Sequence, residues 1–319
     1  MKPKIDFFVV AIIAIIIIAY FFPHFGSSQN GLPMDLIARI GISLIFFFYG
    51  LKLSSSQILF GLKKWKLHLL VQLSTFILFP LIVLIFYPLF QSDEGEIIWL
   101  SFLFLAALPS TVSSSVVMVS IARGDIPSAI FNASISGLIG IVVTPLWIGF
   151  FLQETLTNFD LGDIYLKLLS EILIPVVLGL VLQRYWGNFA RKYGKQISLF
   201  DKSIILLIIY KSFAESFAQN IFSAVGLMNL ILICLASIIL FYVVYLITGY
   251  ISRKLGFNKE DQITAQFCGT KKSLVHGTVF SKILFPESIP VGVILLPLMV
   301  FHAFQILIIS IVASKLSKR

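Results

Sequence analysis

The residues whose types could do chemistry stand close together in one run, Gln266–Lys282, which reads QFCGTKKSLVHGTVFSK. Lys271 and Lys272 are adjacent ammonium groups, Ser273 is a hydroxyl and His276 an imidazole. Such groups suit the binding of a charged substrate or a coupling ion. Apolar sequence flanks them on both sides. A charge at the centre of a bilayer costs about 2.5–3.5 kcal/mol even on lenient insertion scales. The run must therefore face protein or a water-filled cavity. A second polar run, Leu108–Arg123, reads LPSTVSSSVVMVSIAR. Both contain T-x-x-S-x-V: Thr111, Ser114 and Val116, then Thr270, Ser273 and Val275. Their offset, 270 − 111 = 159, is close to half of the 319 residues, as an internal repeat in a membrane protein would leave it.

The elements that must position these residues are membrane helices. Hydrophobic residues make up 58% of the chain and charged residues 12%, about half the share usual in soluble domains. The net charge of +9 does not point to nucleic acid, because the basic residues sit in short loops between apolar spans. Cys234 and Cys268 form no metal motif and are not expected to form a structural disulfide. The apolar stretch Phe7–Phe22 follows Lys2 and Lys4 and shows no small-residue cleavage site, so it is expected to stay as a transmembrane helix.

Ten stretches are long enough to cross a hydrocarbon core of roughly 30 Å: 6–23, 35–53, 67–90, 97–121, 126–152, 164–184, 202–222, 225–250, 262–285 and 289–314. One set of their ends holds 18 of the 24 Lys and Arg, from Lys2 and Lys4 to Lys318 and Arg319, and the loops at the other ends hold almost none. This asymmetry predicts that both termini are cytoplasmic. The expected fold is all-α, a single polytopic domain over 1–319 built as two inverted five-helix repeats, 1–153 and 160–319. The fourth and ninth spans occupy corresponding places and carry the two polar runs. Pro109 disfavours helix before it, and Gly269 and Gly277 permit unwinding, so both spans are expected to be discontinuous. The competing explanation is that these residues only help helices pack, but it leaves two adjacent lysines unexplained.

Further polar positions converge on the same centre. Ser128, Asn132 and Ser136 recur every four residues on one helical face. His302 and Gln305 share a face of the tenth span, and Gln72 precedes Ser74 and Thr75 in the third. Each alone is an ordinary interhelical hydrogen-bonding residue. Together they supply neutral oxygens of the kind a small hard cation such as Na⁺ prefers. Lys211 and Glu215 read as an internal i, i+4 ion pair.

The runs FCGTKKSLVHG…KILF and LPLMVFHAFQIL, with GLKLSSSQILFGLKKWKLHLLVQLSTFILFP and TVSSSVV…IFNASISGLIGIVVTPL, resemble the sodium/bile acid symporter-like family. The resemblance covers essentially the whole chain. It is nearest to the branch of solute carrier family 10 member 7 and its bacterial relatives. It implies a core domain of spans three to five and eight to ten, a four-helix panel domain, and discontinuous fourth and ninth helices that cross in the core. It implies two Na⁺ ions behind the crossing and an organic anion carried between core and panel by alternating access. Position by position, Ser113, Ser114 and Asn132 match one sodium site, with Thr111 and Ser115 as neighbouring candidates. Gln72 and the segment Gln266–Thr270, including the Thr270 hydroxyl, approximate the other. The sequence departs from the family in one place. Bile acid transporters carry a glutamate where this chain has Gln266, Phe267 or Cys268, and no carboxylate lies between Asp261 and Glu287. Two lysines follow instead, which either take part of a cation site or bind the anionic substrate. Lys272 is expected to face the crossing, and Lys271 to reach the substrate cavity or the cytoplasmic interface. Proton coupling through Lys272 or His276 stays open.

The expected function is secondary active transport, sodium-coupled symport of an organic anion. Proton coupling, or a regulatory or sensing role for the same fold, is the alternative. An intramembrane hydrolase using Ser114 or Ser273 with His276 or His302 is not expected: no G-x-S-x-G elbow occurs and no acid orients either histidine. The only metal expected is Na⁺ as coupling ion, with no other cofactor. The expected partners are a small organic anion and the lipid bilayer of the plasma or inner membrane; a homodimer is left open.

Overall fold

The structure, a computed structural model, describes residues 7–26, 33–52, 64–90, 93–111, 113–155, 161–218, 226–286 and 288–318. Among them every regular element is helical. In chain order these are α1 Phe7–Phe21, α2 Met34–Lys52, and α3, which runs Trp65–Leu73, widens into a π turn at Ser74–Leu78 and continues Phe79–Ile85. Then come α4 Asp93–Ala107, α5 Ser113–Ile121, α6 Ile126–Thr155, and α7, built from Leu161–Leu168, a π turn Leu169–Leu173 and Ile174–Lys192. They are followed by α8 Gly194–Ala218, α9 Leu227–Lys254, α10 Lys259–Gly269, α11 Leu274–Leu284 and α12 Val291–Leu316.

Among the described residues, six helices are long and apolar enough to cross a membrane: Met34–Lys52, Trp65–Leu89, Ile126–Leu152, Leu166–Lys192, Met228–Lys254 and Val291–Leu316. Val10–Phe21 and Gly95–Ala107 are shorter apolar helices. The expected spans 97–121 and 262–285 fall below full length because each is broken into two helices. α8 is long enough but carries Lys195, Asp201, Lys202, Lys211 and Glu215. Large apolar side chains such as Ile13, Ile40, Leu81, Leu146, Val181 and Leu232 lie on the outside. A bilayer, not water, is the solvent that tolerates such a surface. The protein is a multi-pass membrane protein. The basic ends at Lys2, Lys4, Lys63 and Arg319 lie outside the described residues.

Packing follows two groups. α2 lies along α7, α1 along α8, and α8 against α2. α2 and α7 meet backbone to backbone at Gly50 and Gly179: a Cβ added at Gly50 would strike the Val176 carbonyl, and one at Gly179 the Phe47 carbonyl. Only glycine allows that approach. The second group joins α3, α4, α6, α9, α10 and α12, with α5 against α6 and α12. α8 touches α11 and α12 and so connects the groups.

Candidate functional site

The two helix breaks meet inside the second group. Pro109 has no N–H for the Leu105 carbonyl, so α4 cannot continue through it. The Leu108 N–H turns to Leu105 instead, at 3.4 Å. α11 restarts after its break with Ser273 as N-cap, whose Oγ accepts from the His276 N–H at 3.3 Å. The breaks are tied together directly. The Ser273 N–H donates to the Pro109 carbonyl at 2.9 Å, and Ser110 Oγ donates to the Cys268 carbonyl at 2.7 Å.

The breaks leave carbonyls that a continuous helix would have used. The Ser110 N–H, which would serve the Ala106 carbonyl four residues back, donates to Ser136 Oγ at 2.9 Å. The Ala107 carbonyl is taken by Thr144 Oγ1 at 2.7 Å. In α3 the π turn sends the Phe79 N–H to the Ser74 carbonyl, and Pro80 has no N–H to offer. The Thr75 carbonyl is thereby freed, and the Phe76 carbonyl is met by the Trp147 indole at 2.8 Å. Three freed carbonyls converge on one side chain. Lys272 Nζ donates to Thr75 O at 2.7 Å, Ala106 O at 2.6 Å and Leu108 O at 2.9 Å. It also lies 4.2 Å from the centre of the Phe79 ring.

Gln305 holds the lysine backbone in place. Its Oε1 accepts from the Lys272 N–H at 2.8 Å, and its Nε2 donates to the Lys272 carbonyl at 2.8 Å and pairs with His302 Nδ1 at 2.8 Å. Lys271 points elsewhere, donating to the Ser114 carbonyl at 2.7 Å. Both lysines have zero relative exposure, so Lys271 does not reach the cytoplasmic surface. Around Ser114, Thr111 Oγ1 lies 2.8 Å from Ser114 Oγ and 2.9 Å from Ser115 Oγ. The Ser113 side chain lies outside the described residues.

A separate group of amides lies between α3 and α6. Gln72 Nε2 donates to Asn132 Oδ1 at 3.1 Å, and Asn132 Nδ2 meets the Ser128 carbonyl and His68 Nδ1, both at 2.9 Å. Gln72 Oε1 is buried without a hydrogen-bond partner. Ser128 Oγ continues the chain to Asp125 at 2.8 Å. Asp125 and Asp261, at the starts of α6 and α10, share Lys64 at 2.6 and 2.7 Å. Burial disfavours the Lys64 charge, yet hydrogen bonds and charge from the two aspartates hold its ammonium above the ordinary value. Burial likewise raises the Asp125 carboxyl, but its hydrogen bonds to Lys64 and Ser128 and the Lys64 charge hold it below the ordinary carboxylate value. In α10, Thr270 Oγ1 donates to the Gln266 carbonyl at 2.6 Å, and Gln266 Nε2 to the Tyr245 carbonyl at 3.1 Å.

A cavity of about 220 Å³ separates α2 and α8 from the crossing. Thr111, Ser114, Ser273, His276 and His302 form its inner wall, and Lys52, Asp201 and Lys202 stand at its other end. His276 Nδ1 is 2.9 Å from Ser273 Oγ, while its Nε2 is buried without a partner. Away from those lysines, Lys211 pairs with Asp35 of α2 and, at 3.3 Å, with Glu215; Glu215 in turn lies 4.0 Å from Lys282 of α11.

Compared with protein-family models, residues 6–318 match the SBF-like CPA transporter family. The chain belongs to that family. Among curated relatives, an uncharacterized protein of Pseudomonas aeruginosa is 36% identical, covering 98% of this chain and 93% of its own length. Escherichia coli YfeH, named as a candidate symporter, is 34% identical over 99% and 94%. The sodium/bile acid cotransporter 7-B of Xenopus laevis is 28% identical over 96% and 90%. The SBF-like CPA transporter family is one of transporters, not enzymes.

Within this family member, most of the expected site residues fall into three hydrogen-bonded groups, while Ser273 pairs with His276 and Thr270 with Gln266. Lys272, Gln305 and His302 form one, Thr111, Ser114 and Ser115 with Lys271 a second, and Gln72, Asn132 and Ser128 a third. Several participants carried no expectation: Ser110, His68, Trp147, and Lys64 with its two aspartates. The signal for the freed Thr75 carbonyl was Pro80 five residues later, but only the π turn aims it at Lys272.

Proposed function

We propose that the protein is a secondary active transporter that moves an organic anion by alternating access, coupled to Na⁺. In this reading α4 with α5, and α10 with α11, are the fourth and ninth of ten spanning helices in two inverted repeats. The core is α3–α6 and α9–α12, the panel is α1, α2, α7 and α8, and both termini are cytoplasmic in a plasma or inner membrane. The observation that carries it is the buried meeting of the two breaks beside a cavity between the two packing groups. The cavity offers hydroxyls of Thr111, Ser114 and Ser273 and the His276 ring to a solute, with Lys52 and Lys202 beside Asp201 at its far end. Such a lining favours an anion. The Gln72 Oε1 atom, buried and unpartnered next to Asn132, is the oxygen that best supports a Na⁺ ligand. That relatives are named sodium/bile acid cotransporters supports the same class of solute.

Proton coupling is the second reading, and His276 Nε2 is what favours it: a buried imidazole nitrogen without a partner, on the cavity wall. Flux into proteoliposomes separates the two. Uptake of a labelled bile salt should rise with an inward Na⁺ gradient and not with K⁺. Uptake that follows a pH gradient instead assigns the coupling to protons. Absence of any organic-anion flux under either gradient overturns the transport reading.

A further inference from the structure

We infer that the meeting of α3, α4 and the α10–α11 break is a monovalent-cation site with a covalently attached occupant, the ammonium group of Lys272. The ligand class that the site takes is a primary ammonium or a small alkali cation. This inference does not depend on which ion couples transport, because it concerns a site distinct from Gln72 and Asn132.

The shell comes from the backbone. Thr75, Ala106 and Leu108 belong to three different chain positions, and each carbonyl is freed by a cause that has nothing to do with lysine. Pro80 and the π turn free the first, Ser136 diverts the N–H that would serve the second, and the end of α4 exposes the third. The two α4 carbonyls lie at the negative end of that helix's dipole. The Phe79 ring closes the shell with its negative face at 4.2 Å. Oxygens and a ring face without a carboxylate suit a single positive charge of modest hydration. The occupant is read from donor arithmetic. Three acceptors at 2.6, 2.7 and 2.9 Å each need an N–H, and an ammonium has three where a neutral amine has two.

A lysine that only braces three helices would leave, when truncated, a hole with no particular chemistry. A cation site leaves three carbonyls that still converge. Lys272→Ala should therefore melt below wild type and be rescued by what the site selects. We expect n-propylammonium to raise its melting temperature by about 3–6 °C at ten times the dissociation constant. K⁺ or Na⁺ should raise it by less, measured against the Na⁺ response of wild type. Tetramethylammonium, which has no N–H and is too bulky, should not raise it, and wild-type protein should gain nothing from n-propylammonium or tetramethylammonium. A Lys272→Ala protein that folds and gains nothing from n-propylammonium overturns the inference, as does a wild-type protein that gains as much from n-propylammonium as the variant. If Lys272→Ala does not fold, nitrogen NMR of ¹⁵N-lysine protein in a Lys271→Met background decides. An ammonium signal lost on Lys272→Arg supports the site, and a neutral amine signal refutes it. None of these readouts needs flux, so a failed transport assay and a failed cation site are told apart.

Discussion

Replacing Gln305 by leucine tests whether one side chain holds the break in α10–α11 open. Leucine keeps the volume and removes both hydrogen bonds to the Lys272 backbone, at 2.8 Å each. An unpartnered buried polar group costs about 1–3 kcal/mol, and here two appear, an N–H and a carbonyl. Side-chain hydrogen bonds between membrane helices average only about 0.6 kcal/mol, because the disordered reference finds other partners. That discount applies weakly to Lys272. Its backbone groups are unwound in the folded state, and the competing state is a rewound helix that satisfies them internally. The larger figure therefore governs, and about 3 kcal/mol is expected. At roughly 2–4 °C per kcal/mol, melting in detergent should fall by about 6–12 °C. Gln196→Leu, on an exposed part of α8, is the control and should stay within about 0.5 kcal/mol. If Gln305→Leu melts like Gln196→Leu, Gln305 does not hold the unwound segment and the account of the crossing given above is wrong.

Three further outcomes are expected. A cysteine at Lys192 should be labelled only from the cytoplasmic side and one at Ser92, which lies outside the described residues, only from the other; the reverse pattern rejects the orientation. Asn132→Ala, and Ser113→Ala combined with Ser114→Ala, should each abolish at least half of any Na⁺-specific rise in melting temperature while costing only about 1–2 kcal/mol of stability; a wild-type protein that melts alike in Na⁺ and K⁺ removes sodium from the proposal. Lys64→Met should cost about 1 kcal/mol, since its side chain is 43% exposed and such bridges contribute little each. A depressed carboxyl stabilises above its unfolded value and stops doing so as pH falls through its folded one, so the wild-type advantage should be level from pH 5 to 9 and shrink below the ordinary aspartate value of 3.8. An advantage that persists at pH 3 contradicts the pairing.

Much of this arrangement was legible in residue types. Two adjacent lysines in an apolar span have no lipid-facing solution, and both are buried at the crossing. Pro109 and the T-x-x-S-x-V runs marked where α4 and α10 stop. The grouping was less legible. Gln72, Asn132 and Ser128 lie together, while Thr111, Ser114 and Ser115 bond among themselves, and helical spacing alone does not say which faces meet. The π turn in α3 escaped because Ser74–Leu78 has no composition that demands it. Lys211 and Glu215 read as a pair, whereas Asp35 comes from a helix far away in sequence.

The lodging of Lys272 among carbonyls has a thermodynamic consequence for any cycle the protein runs. A dissolved ion enters from one side, leaves on the other and delivers the free energy of its gradient. Moving one charge through 100 mV is worth about 2.3 kcal/mol. A charge on a side chain crosses any part of that field with the protein and must recross it for the protein to reset. Over a complete cycle the membrane voltage does no net work on it. A Lys272 that stays protonated throughout can neutralise the crossing and set its shape, but it cannot power uphill movement of a solute. All of that work must come from particles that dissociate.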